Sequence, residues 1–199
     1  GLAMLGPLVV DAVGGHGEWK VFGICALITV AAGLGAMTAC AEGRRAGLSI
    51  QQTFILTVLA WVVLPLFGSL PFMMGAQDMI FVDSFFEATS GITTTGATVM
   101  EGLDRMPPGI LIWRGLMQWF GGLGVVVVAI AILPELRVGG MQLFKSEAFD
   151  TFGKILPQAA QIAKQLAYIY AGLTVTALLV YAACGMHPID ALVHAMTSI

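Results

Sequence analysis

Long apolar runs alternate with short polar connections along the chain. Four of these runs contain no Asp, Glu, Lys or Arg and are 20, 29, 20 and 25 residues long: residues 21–40, 49–77, 115–134 and 165–189. About 20 apolar residues, rising 1.5 Å each, cross a hydrocarbon core of roughly 30 Å. The pattern therefore predicts four membrane-spanning helices rather than the core helices of a large soluble protein.

The first ten residues are apolar but too few to cross a bilayer alone. We expect them to be the end of an incomplete fifth span, which pairs with the span at 21–40. A cleaved signal peptide is the alternative interpretation. It is disfavoured because no basic segment precedes the apolar stretch and no small-residue cleavage site is convincing.

The few charged residues are unevenly distributed among the connections. Only 11% of the residues are charged and 58% are hydrophobic, whereas a soluble domain carries about 25% charged residues. Residues 41–52 and 135–164 hold six of the nine Lys and Arg, while residues 78–105 hold five acids and one Arg. The positive-inside rule predicts that the two basic connections are cytoplasmic and that the acidic connection faces outward. The low charge also argues against a nucleic-acid-binding surface.

Motifs of enzymes and cofactor sites are missing from the sequence. The three cysteines have no paired spacing, and the three histidines have no metal-ligand spacing. The chain also lacks a Gly-rich phosphate loop and a nucleophile elbow. We therefore predict a protein that is not an enzyme and that carries no cofactor.

The acidic connection contains a short amphipathic segment followed by a Thr/Gly-rich stretch. Residues 81–90 predict a helix of about half the length of a span, with Phe81, Phe85 and Phe86 on one side. Residues 91–98, Gly-Ile-Thr-Thr-Thr-Gly-Ala-Thr, favour extended backbone because β-branched Thr prefers it. A half-length helix followed by such a strand predicts a re-entrant pore loop, whose free carbonyls replace the water shell of a cation. A polar turn on the outer surface is the alternative.

An internal repeat favours the pore loop over the turn. Residues 188–199 follow the last span as residues 81–92 follow the second span, and Asp190 aligns with Asp83 at an offset of about 107 residues. Two units of span plus short helix predict a repeated membrane architecture.

Several segments together resemble one known family. They are Ser-Gly-Ile-Thr-Thr-Thr-Gly-Ala-Thr at 90–98, Trp-Arg-Gly-Leu-Met-Gln-Trp-Phe-Gly-Gly-Leu-Gly at 113–124, Ala-Ile-Leu-Pro at 131–134 and Gly-Met-Gln-Leu-Phe-Lys-Ser-Glu at 140–147. The combination resembles the Trk/Ktr/HKT potassium transporters, and most closely their bacterial TrkH-type subunit, over nearly the whole chain.

The resemblance implies an all-α integral membrane protein with repeated span, re-entrant pore helix and span units, as in a potassium channel. In the family, four such repeats surround one potassium pathway after an extra helix pair. We expect residues 1–52 to be that pair, with its first helix incomplete. Residues 53–134 then form the first repeat, and residues 135–199 form a cytoplasmic linker and the start of the second. On this interpretation the chain is truncated.

The resemblance also implies the function and the ion site. The expected activity is potassium uptake across the bacterial inner membrane. The filter segment is expected to comprise Thr93, Thr94, Thr95, Gly96 and Ala97, with backbone carbonyls as potassium ligands and Gly96 as the family's filter glycine. A sodium-permeable member of the family and a non-conducting membrane scaffold subunit are the alternatives.

Three charged residues are expected to support the pore loop. Asp83 suits the first turn of the short helix. Arg114 lies in a span, where an unpaired charge costs roughly 2.5 kcal/mol or more at the midplane. We expect it to pair with Glu87 or with a filter carbonyl, although snorkelling to the outer surface is an alternative. The nearby Gly121, Gly122 and Gly124 predict close packing against the pore helix.

The expected partners are the lipid bilayer, a cytosolic subunit and a second copy of the chain. The resemblance implies that the polar stretch 137–164 contacts a nucleotide-binding ring of the RCK type and that the protein is a homodimer. The alternative for this stretch is an amphipathic linker that rests on the membrane surface. No nucleic-acid partner is expected.

Overall fold

The computed structural model describes residues 1–41, 50–75, 78–136 and 152–199, and all regular structure in these ranges is helical. Short 3-10 turns lie at Leu2–Met4 and Leu103–Arg105. The α-helices are α1 (Leu5–Gly14), α2 (Trp19–Ala39), α3 (Ile50–Gly68), α4 (Leu70–Met74), α5 (Phe81–Ile92), α6 (Pro108–Leu136), α7 (Phe152–Ala183) and α8 (Pro188–Ser198).

Within the described ranges, four helical stretches are long and apolar enough to cross a membrane: Trp19–Ala39, Phe54–Met74, Pro108–Val126 and Ala163–Ala183. They correspond to the four apolar runs, so the predicted all-α membrane fold is confirmed. The helices extend beyond the uncharged runs, since α6 begins seven residues before residue 115 and α7 begins at Phe152. The uncharged run marks the part suited to lipid, whereas the helix continues into polar surroundings.

The second span is interrupted between α3 and α4. Pro71 has no N–H, and the N–H of Phe72 donates to the carbonyl of Ser69 at 3.0 Å instead of continuing the helical ladder. This change leaves the carbonyl of Gly68 without its helical donor. The indole Nε1 of Trp113 on α6 donates to that carbonyl at 2.9 Å, and the bond is buried. A neighbouring helix thus satisfies the backbone group that the break exposes.

Helix α6 is the centre of the fold and packs against α1, α5, α7 and α8. Its buried residues Ile110, Trp113 and Met117 join Phe22 and Phe72 in the main apolar cluster. The rings of Phe22 and Trp113 meet edge to face with centroids 6.5 Å apart. Because α6 is the α-helix that follows the loop after α5, its packing sets the position of that loop.

The N-terminal helix is attached to the first turn of α6 by one buried carboxylate. Asp11 on α1 is fully buried, and its Oδ1 accepts a hydrogen bond from the N–H of Gly109 at 2.8 Å. Backbone N–H groups in a first helical turn have no partner within the helix, and a carboxylate is favoured there. A Cβ on Gly109 would collide with this carboxylate. The connection after α1 and the start of α6 therefore lie at the same end of the helices.

The two short helices α5 and α8 occupy matching positions. Both pack on α6. Ser84 and Ala88 of α5 are fully buried, as are Ala191 and Ala195, which lie 107 residues further along in α8. The shared pattern matches the repeat expected from the sequence. One difference is that buried Glu87 has the exposed His194 as its counterpart.

Candidate functional site

The pore helix α5 ends in a capped turn rather than in an extended strand. The N–H of Thr94 donates to the carbonyl of Gly91, and that of Thr95 donates to the carbonyl of Ser90, both at 3.0 Å. This pair of bonds is a Schellman motif, with Thr94 in the left-handed conformation. The prediction of extended backbone from residue 91 is therefore wrong at its start. The free carbonyls at the helix end require donors, and this requirement outweighs the β preference of Thr.

Two residues of the filter segment have positive φ angles. Thr94 has φ +57° and Gly96 has φ +74°. Glycine adopts this region freely, but a β-branched residue rarely does, and the strain is of order 1–3 kcal/mol. Such a conformation persists only where the surrounding contacts hold it.

The filter segment and the two residues that follow it, 93–99, are exposed between buried Ile92 and buried Met100. Among the described residues, no donor bonds to the carbonyls of the three threonines at 93–95. The carbonyl of Gly96 accepts from Arg114 Nη2 at 2.8 Å, and that of Ala97 accepts from Ser90 Oγ at 2.6 Å. The residues of this segment are thus exposed, and the side chains of Arg114 and Ser90 hold its last two carbonyls.

Glu87 and Arg114 connect α5, α6 and the loop. Glu87 is fully buried, and its Oε1 accepts from Arg114 Nε at 2.5 Å. Its Oε2 accepts from Thr98 Oγ1 at 3.0 Å and from the N–H of Val99 at 3.1 Å. Arg114 Nη2 also donates to the carbonyl of Gly96, so Arg114 contacts both an acid and a filter carbonyl. The expected snorkelling alternative is not observed, because the Arg114 side chain is only 14% exposed.

The structure does not bring Asp83 to this group. Asp83 lies in the first turn of α5, and no hydrogen bond or ion pair joins it to the filter segment in the described ranges. Nine residues at a rise of 1.5 Å separate it from Ile92 by roughly 13 Å along the helix. Asp83 therefore acts only at the N-terminus of α5, away from the filter segment.

Sequence reasoning missed two hydroxyl residues that hold the loop, Ser90 and Thr98. Ser90 lies one turn after Glu87 on α5 and is buried, and Thr98 donates to Glu87. Neither residue carried a signal of its own in the sequence, because a hydroxyl residue becomes informative only when its burial is known. Within the filter segment, Thr93 Oγ1 donates to the carbonyl of Thr89 at 2.7 Å and lies 2.8 Å from Thr95 Oγ1.

The three glycines of α6 have different surroundings. A Cβ on Gly121 would collide with the backbone carbonyl of Ile92, so Gly121 packs against the pore helix as predicted. A Cβ on Gly122 would lie 2.5 Å from the hydroxyl of Tyr170 on α7. No atom of the described residues lies within 4 Å of such a Cβ on Gly124, so the prediction of close packing is wrong there.

The arrangement suits a cation bound by neutral oxygen. In the described ranges, no group of three or more His, Cys, Asp or Glu residues could hold a metal ion. A helical fold with four apolar spans in the described residues defines a membrane protein, and the exposed Thr/Gly segment with neutral backbone oxygens suits cation transport. Residues 19–199 match the family TrkH, described as a cation transport protein. The chain belongs to this family, whose members are transport proteins and not enzymes.

Relatives and a solved structure agree with this membership. The Trk system potassium uptake protein TrkI of Halomonas elongata is 42% identical over 195 residues, covering 97% of this chain and 39% of the relative. The Trk system potassium uptake protein TrkH of Vibrio parahaemolyticus is 46% identical over 157 residues, covering 76% and 32%. The crystal structure of the potassium transporter TrkH from Vibrio parahaemolyticus aligns with TM-score 0.79 at 37% identity, covering 98% of this chain and 39% of that one. The chain therefore spans about two fifths of the length of these proteins.

Proposed function

We propose that the chain supplies the first part of a potassium pathway in a Trk-type uptake system of the bacterial inner membrane. The observation that carries this proposal is the exposed filter segment, in which Arg114 and Ser90 hold the carbonyls of Gly96 and Ala97 and Glu87 holds Arg114. The relatives named above are potassium uptake proteins, which supports potassium as the ion.

Backbone carbonyls of Thr93, Thr94, Thr95, Gly96 and Ala97 are the proposed potassium ligands. The first three accept no hydrogen bond from the described residues. The last two each accept one, and a carbonyl oxygen has a second lone pair available. Carbonyls can replace the water shell of a potassium ion without adding negative charge, so that the ion is bound weakly enough to leave.

The ion pair allows a guanidinium to lie beside a cation pathway. Two unit positive charges 4 Å apart repel by about 4 kcal/mol at an effective dielectric constant of 20. Glu87 accepts directly from Arg114 and offsets its charge. We propose that Arg114 positions the Gly96 carbonyl, and that Glu87 prevents a net positive charge beside the filter. The proposed support from Asp83 acts through the N-terminus of α5.

The remaining assignments concern topology and partners. We propose that residues 41–52 and 135–164 are cytoplasmic and that residues 78–105 face outward. We also propose that residues 1–52 form the N-terminal helix pair, that residues 53–134 form the first repeat, and that residues 135–199 form the linker and the start of the second repeat. A cytosolic RCK-type subunit and a homodimer remain predictions. Most of the stretch assigned to that subunit lies outside the described residues.

Ion uptake by cells that lack their own potassium uptake systems tests the proposal. The complete reading frame that encodes this chain is expressed, and rubidium uptake and growth at low potassium are measured. Gly96→Asp should abolish uptake or discrimination against sodium, because a carboxylate would bind the cation too strongly. Gly96→Asn is the matched control, since Asn tolerates positive φ but carries no charge. Uptake and selectivity that stay unchanged in Gly96→Asp would refute the filter assignment, and a scaffold protein would behave in that way.

A further inference from the structure

A polar cavity of about 260 Å³ lies beside Thr94, between the two repeated units. The first unit contributes Thr94 and two residues of α6, and the second contributes residues of α7 and α8. Its polar and glycine lining residues are Thr94, Gln118, Gly122, Tyr170, Thr197 and Ser198. We call it the seam cavity. At the seam cavity, the turn of the filter segment lies next to α7 and α8 of the second unit.

Gln118 has an unusual environment in the wall of the seam cavity. Its side chain is only 8% exposed, and no acceptor lies within hydrogen-bonding distance of Nε2 among the described residues. A buried donor without a partner costs about 1–3 kcal/mol. Rotation of the carboxamide about its last torsion exchanges its oxygen and nitrogen. Either group can therefore face the cavity.

Gly122 allows the filter turn and the second unit to approach Gln118. It lies one helical turn after Gln118 on the same face of α6. A Cβ on Gly122 would be 2.5 Å from the Tyr170 hydroxyl and 3.7 Å from Cγ2 of Thr94. Thr94 and Tyr170 therefore meet at the point where α6 has no side chain.

Tyr170 is itself held against α6. Its ring lies beside that of Trp119, with centroids 5.4 Å apart. The indole Nε1 of Trp119 donates to Thr174 Oγ1 at 2.9 Å, one turn further along α7. The far wall of the seam cavity is thus fixed relative to α6.

The strained conformation of Thr94 needs support from the side that faces the seam cavity. Backbone hydrogen bonds from α5 hold one side of the turn, and the seam cavity forms the other side. If the turn relaxed from its left-handed conformation, the Thr94 carbonyl would point in a different direction. The orientation of one proposed ion ligand therefore depends on the groups in the seam cavity.

We propose that Gln118 is a positioning residue for the filter segment and contributes to potassium selectivity. Its carboxamide hydrogen-bonds Thr94, directly or through a water molecule in the seam cavity, and holds the left-handed turn. A polar cavity of this size admits water, whose share of liquid volume is about 30 Å³ per molecule. The amide is neutral, so it orients a carbonyl without repelling or trapping the cation. This inference rests on the proposed function.

Gln118→Leu tests the proposal, because Leu has a similar size but no hydrogen-bonding group. With the complete reading frame in uptake-deficient cells, discrimination of potassium over sodium should fall about three- to tenfold, the range expected for one neutral hydrogen bond. Protein abundance should not fall, because Leu fills the same position on α6, and a loss of selectivity that only follows a loss of folded protein would overturn the positioning role. Ile112→Val, another buried position on α6, is the matched control and should keep full selectivity.

A second substitution separates positioning from simple packing. Glycine adopts positive φ without strain, so Thr94→Gly removes the need for support. In that background, Gln118→Leu should change selectivity by less than about twofold, within the additivity error of independent sites. Equal effects of Gln118→Leu in both backgrounds would overturn the proposal.

The proposed function and this inference can fail separately. Unchanged selectivity in Gln118→Leu, together with lost uptake in Gly96→Asp, would overturn the role of Gln118 and leave the filter assignment standing. Absence of potassium uptake by the unaltered protein would overturn both.

Discussion

Replacement of Glu87 by Gln is expected to destabilise the pore loop strongly. The carboxylate accepts three hydrogen bonds, from Arg114 Nε, Thr98 Oγ1 and the N–H of Val99. In Gln, one oxygen becomes an NH₂ group, so at least one of these donors would face another donor. The change also removes the negative charge that offsets the Arg114 guanidinium.

The magnitude follows from the burial of the pair. Removal of one partner of a buried ion pair costs roughly 3–5 kcal/mol, because the other charge remains buried and unpaired. The Glu87 side chain is fully buried and that of Arg114 is 14% exposed. Because the Arg114 side chain keeps some access to solvent, the expected loss lies near the lower end of this range, at about 3 kcal/mol. For a protein of this length, such a loss lowers the melting temperature by roughly 6–12 °C.

Thermal unfolding of the purified chain in detergent micelles measures this loss. Asp83→Asn is the matched control on the same helix, since Asp83 has no hydrogen bond or ion pair with the filter segment in the described ranges. It should stay within about 0.5 kcal/mol of the unaltered chain. Combining Glu87→Gln with Arg114→Met should recover part of the loss, because the double variant leaves no unpaired charge.

Unfolding of Glu87→Gln at the temperature of the Asp83→Asn control would refute the role of the ion pair. Losses of the Glu87 and Arg114 variants that simply add would refute it as well, because two residues in one network should be coupled by about 0.5–3 kcal/mol.

Two further substitutions test the packing of α6. Gly121→Ala should destabilise the protein by roughly 1–3 kcal/mol, because the added Cβ would collide with a backbone carbonyl at the end of α5. Gly124→Ala, whose Cβ would meet no described atom within 4 Å, should be neutral or stabilising in the same melting assay, and equal effects of the two changes would contradict the expectation. Trp113→Phe should cost about 1–3 kcal/mol in chemical unfolding, because the buried Gly68 carbonyl loses its donor. The exposed Trp19→Phe is its control, and a similar loss in both would rule out that hydrogen bond as the cause.

The positions of the spans were predictable because a bilayer imposes a simple requirement on sequence. Each span needs about 20 apolar residues, and this pattern is visible without any tertiary contact. The start of the pore helix at Phe81 was predictable for a similar reason, since its aromatic residues share one face. Its end was not, because the Thr residues at 93–95 favour extended backbone while the helix end requires capping.

The candidate site was only partly predictable. The sequence predicted that Arg114 pairs with Glu87 or with a filter carbonyl. In the structure it contacts both Glu87 and the Gly96 carbonyl. Gln118, Ser90 and Thr98 carried no signal of their own, because a polar residue becomes informative only when its burial is known. The same holds for Gly121 and Gly124, which are equivalent in the sequence but differ in surroundings.

Hydropathy and family motifs are therefore sufficient for the fold class and for the positions of the four spans in the described residues. These features depend on the bilayer as solvent and on local residue preferences, both of which act on neighbouring residues. The contacts that hold the loop join residues far apart in the chain, such as Glu87 with Arg114 at 27 residues and Asp11 with Gly109 at 98. Their convergence follows from helix packing, since side chains with no common sequence pattern meet only when α1, α5 and α6 lie against one another.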